Sequence, residues 1–178
     1  MPFFVILIII IGGGVVLDQV SKLLVDSLME RGESIAVIED VFHLTYVQNR
    51  GAAFGMLSDS RWVFMILSTI GIIALCVYLF RFCKESNIIK IGLALVISGG
   101  IGNMIDRTLR GFVVDMIDMR FVRIYNFAEG EVTGFYVFNI ADSFVCIGIA
   151  ITVIWLIKEI ICEFKNKKKA DKKDENNA

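Results

Sequence analysis

Hydrophobic residues gather in four runs, at residues 3–17, 62–80, 91–105 and 143–157. The second, "WVFMILSTIGIIALCVYLF", holds 19 residues without a charge. A helix needs about 20 mostly apolar residues to cross a bilayer, and the other three runs reach that length once their polar flanks are included. A helix of a soluble bundle would show a polar stripe every 3.6 residues or so, and this run shows none. The pattern predicts a membrane α-helical protein with four transmembrane helices rather than a soluble bundle. Two long loops, at about 26–61 and 107–139, follow a different pattern. In "IAVIEDVFHLTYVQN", Phe42, Leu44 and Tyr46 alternate with His43 and Thr45. That period of two predicts a strand pair with a turn near Glu39 and Asp40. In the second loop "VVDMIDMRFVRIYNF" and "VTGFYVFN" flank "AEGE", which reads as a hairpin. Open strands cannot lie in lipid, because each unpaired backbone group there is strongly unfavourable. A small β-sheet is therefore expected at or above the membrane interface.

Charge orients the spans. The stretch after Cys162 carries six lysines, and the short loop after Phe80 carries Arg81, Lys84 and Lys90. The two long loops hold three and four arginines and no lysine. Positive residues collect on the cytoplasmic side, so both termini are expected there and the sheet is extracytoplasmic. The expected organisation is a four-span domain over 1–162 and a disordered Lys-rich cytoplasmic tail over 163–178, near anionic lipid. The first run lacks a basic leader and an A-x-A site, so it reads as an uncleaved span. The net charge of −1 says nothing about partners. Cys76, Cys83, Cys146 and Cys162 fall in or beside apolar runs with no C-x-x-C spacing, and read as small packing residues.

Several polar residues stand where they are expensive. Asp18 and Lys22 lie four apart on one helix face, as an ion pair or as support for a site. "NRGAAFG" offers Asn49 and Gly51, either as a turn or as a place where another backbone comes close. In "SGGIGNMIDR", Ser98 and Gly102 favour close helix contact. Asn103 and Asp106 share a face, and Asp106 with Arg107 reads either as a capping ion pair or as part of a site. "FNIAD" sets Asn139 three residues before Asp142, a capping spacing at a helix start. Taken alone, Asp142 is a cap and Asp115, in "VVDMID", a surface acid. They flank the same outer loop, however, and a hairpin there returns its ends to one place. Two close carboxylates share one proton. The ionised member can take a proton from an attacking water while the other donates to a carbonyl oxygen, which is aspartic peptidase chemistry. The single His43, and the absence of H-E-x-x-H, G-x-S-x-G and G-x-G-D, leave metal, serine and presenilin-type peptidases without their residues. Ser21 and Lys22 point to different helix faces, so they make no Ser/Lys dyad.

The blocks "DQVSK", "NRGAAF", "GNMIDR", "VVDMID" and "FNIAD", in this order over residues 18 to 142, resemble the lipoprotein signal peptidase (type II signal peptidase) family of bacteria. The family pattern usually has Phe where Met116 stands. The resemblance implies four transmembrane helices with a small extracytoplasmic sheet. It implies removal of the signal peptide from diacylglyceryl-modified prolipoproteins, N-terminal to the lipid-bearing cysteine, at the outer face of the cytoplasmic membrane. On this match Asp115 and Asp142 are the catalytic dyad. Asn49, Gly51, Asn103, Arg107 and Asn139 are the polar substrate-binding shell, and Asp18, Lys22 and Asp106 are structural support. The expected partners are prolipoprotein substrates, membrane lipid and the inhibitor globomycin, with no nucleic acid. The expected protein is a monomer with no cofactor or metal. A small transporter or proton relay, or a membrane assembly factor, is the alternative reading.

Overall fold

The computed structural model describes residues 2–50, 61–84, 86–121, 123–126 and 131–175. The elements are α1 (Phe3–Leu28), β1 (Ser34–Ile38), β2 (Phe42–Asn49), α2 (Arg61–Val77) with a π-helical turn over Tyr78–Phe82, α3 (Asn87–Leu109), β3 (Val113–Met119), β4 (Arg123–Asn126), β5 (Glu131–Gly134) and α4 (Ile140–Glu175). Four helical stretches are long and apolar enough to cross a membrane: Phe3–Leu28, Met65–Phe82, Asn87–Leu109 and Ile140–Asn166. The shortest has 18 residues and, at about 1.5 Å per residue, spans about 27 Å. Ile8, Ile9, Leu17, Ile66, Ile70 and Ile154 point outward and stay exposed. Such a surface is stable only in a solvent as apolar as itself.

Helix α3 is the most enclosed of the four. It packs chiefly against α4 and α1, and small residues permit this. A Cβ on Gly92 would lie 3.0 Å from the Gly148 carbonyl oxygen, and one on Gly102 would lie 2.5 Å from Asp18 Oδ2. Ser98 is fully buried and donates to the Ile11 carbonyl at 3.1 Å. Close backbone approach at these small residues brings the polar ends of α1, α3 and α4 together. Leu7, Leu79, Ile89, Leu93, Ala94 and Ile97 form the core nearer the other end.

The strand pair expected after α1 forms. β1 and β2 pair antiparallel, and Asp40 turns the chain with φ 57°. The second loop divides differently from the expected single hairpin. β4 and β5 pair with each other, whereas β3 pairs with β2 to give a sheet of order β1-β2-β3. The reason is burial: Val114 and Met116 pack with Val25, Met29 and Tyr46, so β3 lies against the C-terminal end of α1. The chain returns at Phe138, which bridges to Ile117 through N–H···O bonds of 2.7 and 3.1 Å. Residues 115 and 142 therefore approach through the β2–β3 pairing and this bridge, and not through one long hairpin.

α4 continues past 163 to Glu175. Lys, Glu and Ala are good helix formers, and extending an existing helix needs no new nucleus.

Candidate active site

Asn139 stands directly before α4, and Asp142 is in its first turn. The two make a reciprocal cap. Asn139 Oδ1 accepts the Asp142 N–H at 2.9 Å, and Asp142 Oδ2 accepts the Asn139 N–H at 3.2 Å. Helix starts leave N–H groups without partners, and this arrangement satisfies two of them. The helix dipole also favours a carboxylate at this end. Capping does not exhaust either residue. Asn139 Nδ2 donates to Asp115 Oδ1 at 2.7 Å and to Asn103 Oδ1 at 3.1 Å. Asn103 Nδ2 donates to Asp142 Oδ1 at 2.8 Å. One asparagine is thus shared by both acids.

Asp115 comes from β3. Its strand partner is Val47, and Asn49 opposes Val113 two residues along. Asn49 and Asp115 are diagonal neighbours on one face of the sheet, and Asn49 Nδ2 donates to Asp115 Oδ2 at 3.0 Å. Asp115 is only 2% exposed. Burial pushes its carboxyl up to about 6, and the charge of Asp142 adds to that, while the bonds from Asn49 and Asn139 and the Lys22 ammonium pull the other way.

Beneath this network lies a buried charge cluster. Lys22, Asp18 and Asp106 are all fully buried. Lys22 Nζ lies 2.9 Å from Asp18 Oδ2 and 3.1 Å from Asp106 Oδ2, and donates to Asn103 Oδ1 at 2.9 Å. Buried charges persist only when paired and fully hydrogen-bonded, and these are. Asp18 Oδ1 accepts the Ala141 N–H at 2.9 Å, so α1 caps the first turn of α4 from outside. Asp106 accepts the Val114 N–H at 3.2 Å and pairs with Arg110 at 2.7 Å. Arg107 donates to the Asn103 carbonyl at 3.3 Å and lies within electrostatic reach of Asp142 and Asp115.

Of the residues singled out from the sequence, Asn49, Asn103, Asp115, Asn139 and Asp142 meet in one hydrogen-bonded network. Arg107 adjoins it, and Asp18, Lys22 and Asp106 lie under it. Gly51 falls outside the described residues. Two members escaped the sequence reading. Gln19 Nε2 reaches the Gly102 carbonyl at 3.0 Å, Asp18 Oδ2 at 3.1 Å and Asp106 Oδ1 at 3.3 Å. Its place inside the "DQVSK" block, between Asp18 and Lys22, is the signal that could have found it. Arg110 stands four residues after Asp106, and the helical i, i+4 pairing rule would have found it.

The sequence profile of the family described as "Signal peptidase (SPase) II" matches residues 7–158. The chain belongs to the signal peptidase II family. A lipoprotein signal peptidase of Halothermothrix orenii is 42% identical over 156 residues, covering 88% of this chain and 94% of the relative. One of Clostridioides difficile is 40% identical over 157 residues, covering 88% and 95%. Two solved structures, each described as a bacterial membrane enzyme obtained by the in meso method, align with TM-scores of 0.75 and 0.73. They share 34% and 35% identity, over 86% and 85% of this chain and 88% and 92% of theirs. The protein is therefore a multi-pass bacterial membrane peptidase of the signal peptidase II family. That sets aside the transporter and assembly-factor alternatives.

Proposed function

We propose that the protein is an aspartic endopeptidase that removes the signal peptide from diacylglyceryl-modified prolipoproteins, cutting N-terminal to the lipid-bearing cysteine, with Asp115 and Asp142 as its catalytic dyad. The observation that carries this reading is the shared asparagine. Asn139 bonds both acids, one from a strand and one from a helix start, at the polar end of an otherwise apolar bundle. In this mechanism Asp142, held at a helix N-terminus and less buried, is the ionised member. It takes a proton from water as the water oxygen attacks the scissile carbonyl. Asp115, buried and raised to about 6, carries the shared proton and donates it to the carbonyl oxygen. As the tetrahedral intermediate collapses, the proton on Asp142 passes to the leaving amide nitrogen, the C–N bond breaks, and one hydroxyl of the intermediate returns its proton to Asp115 as the new carboxyl C=O forms. Asn49, Gly51, Asn103, Arg107 and Asn139 are the groups proposed to position the substrate and the acids. The substrate helix must unwind locally for its peptide bond to be reached, and amide and guanidinium groups can pair with what unwinding frees. The acyl chains supply binding of about 0.8 kcal/mol per buried CH₂.

The same reading places both termini in the cytoplasm and the dyad on the opposite side of the membrane. It takes the enzyme to be a monomer, surrounded by lipid and sensitive to globomycin. Cleavage of a lipidated against an unlipidated precursor by the purified protein tests it, with Asp115→Asn and Asp142→Asn alongside. The expected result is cleavage of the lipidated precursor only, lost in both variants while each still folds and inserts. Full activity in either variant overturns it.

A further inference from the structure

A second cluster lies outward of the buried charges. Asp26 follows Asp18 and Lys22 along α1 at helical spacing, and Arg110 stands directly after α3, four residues past Asp106. Arg110 pairs with Asp106 through Nη1 and approaches Asp26 Oδ2 with Nε at 3.7 Å. Tyr46 of β2 donates its hydroxyl to Asp26 Oδ1, and Gln48 Nε2 donates to that hydroxyl at 2.8 Å. The Tyr46 phenol stays above its usual range through burial, reinforced by the bond to Asp26. A polar chain therefore runs from Lys22 through Asp106, Arg110 and Asp26 to the middle of β2.

The position of Tyr46 in the strand gives this chain a purpose. The β2–β3 register slips by one residue between Leu44 and Val47. At that bulge Thr45 bonds Asp118 and Tyr46 packs with Val114 and Met116, so both turn away from the face that bears Asp115. Three residues on, β2 ends at Asn49, which does face Asp115. β3 has its own ties to the helices, through Val114 N–H to Asp106 and through the Phe138 bridge. The tie from β2 to α1 runs through Tyr46.

We propose that Tyr46, Asp26, Gln48 and Arg110 form a clasp of positioning residues that holds β2 so that Asn49 stays hydrogen-bonded to Asp115. The clasp acts through Asn49. The proposal rests on the reading of Asp115 and Asp142 as the catalytic dyad. Among the described residues, the charged groups around Asp115 are Asp142 on α4, Lys22 on α1 and Arg107 on α3. None of them belongs to the clasp, so loosening it alters the environment of Asp115 by way of Asn49.

The test uses the full-length protein in lipid nanodiscs with a lipidated precursor, reading kcat, KM and the pH profile for Tyr46→Phe, Asn49→Ala and the double variant. Tyr46→Phe is expected to lower kcat about fivefold, the scale of one net hydrogen bond, with KM unchanged. Its alkaline limb moves to higher pH, as it does in Asn49→Ala, because Asp115 loses a donor that favours its ionised form. The double variant is expected to be no worse than Asn49→Ala. Asp26→Asn, which weakens the same bond from its other side, reproduces the Tyr46→Phe result and serves if that variant folds poorly. An unchanged kcat and pH profile, or effects that add in the double variant, overturn the clasp. Asp115→Asn is run in parallel: its inactivity upholds the dyad whatever the clasp variants show, and its activity removes the dyad and the clasp together.

Discussion

Asn139 and Asp142 hold each other by two reciprocal backbone bonds at the start of α4, of 2.9 and 3.2 Å. The first turn of a membrane helix is thus also the mount of an acid. Because the Asn139 amide also bonds Asp115 at 2.7 Å, cap and dyad geometry cannot be altered separately at this residue.

Replacement of Asn139 by Ala is therefore expected to separate stability from activity. Loss of an N-cap destabilises by about 1 kcal/mol. Loss of the group that aligns the two proposed catalytic acids should lower kcat by about 100-fold or more, the scale seen when catalytic positioning is disturbed. Thermal unfolding and cleavage rates measured on one preparation decide the matter. Equal small losses in both mean that Asn139 is a cap and nothing more.

The pH profile follows from Asp115. Its carboxyl stands near 6 in the free protein, and the proposed mechanism needs it protonated. Activity should fall as pH rises through that value, and the limb should show in kcat/KM, which reports the free enzyme. In kcat the limb should lie higher, because a bound substrate with two acyl chains excludes water and raises a buried carboxyl further. A profile flat from pH 5 to 9 or so would contradict this assignment.

Stability carries the same signature. A carboxyl raised from 3.8 to about 6 binds its proton more tightly folded than unfolded. Its contribution is fully present below the unfolded value and is lost as pH rises through the folded one. The loss is about 3 kcal/mol at most, from roughly two pKa units. In Asp115→Asn this component is missing, so the stability difference between variant and parent should change over that window. Melting temperatures of both proteins at pH 4 to 7 or so measure it.

Lys22→Met is expected to be far more damaging than a surface change. It leaves the carboxylates of Asp18 and Asp106 buried without their shared cation, and breaking a buried ion network in this way costs about 3–5 kcal/mol. The variant should melt much earlier than the parent. Its loss of activity should track the loss of folded protein, with a further decrease because Asn103 loses its Lys22 bond.

Globomycin sensitivity tests the proposed substrate site from outside. Inhibition should be competitive with the lipidated precursor, and it should weaken in Asn49→Ala and Asn139→Ala if those amides contact what occupies the site. Inhibition curves at several precursor concentrations read both effects.

The primary sequence settled much of this by composition and spacing alone. Four uncharged runs of this length form membrane helices, because a helix satisfies its backbone groups within its own segment in lipid. The spacing in "FNIAD" marked a helix cap, and the alternation in residues 42–46 marked a strand. These are local matters, decided within one or two turns of chain. The convergence of Asp115 with Asp142 was inferred from a hairpin, yet the approach depends on β3 pairing with β2 and on Phe138 bridging to Ile117. Likewise the long-range partners of Gln19 and the Tyr46–Asp26 bond cannot be read from spacing along the chain. Those partners lie 20 to 87 positions away. Hydrophobic period and cap chemistry act over a few residues, so they can be read in order along the chain. Which polar groups find each other inside an apolar bundle depends on how the helices pack, and only the folded molecule decides that.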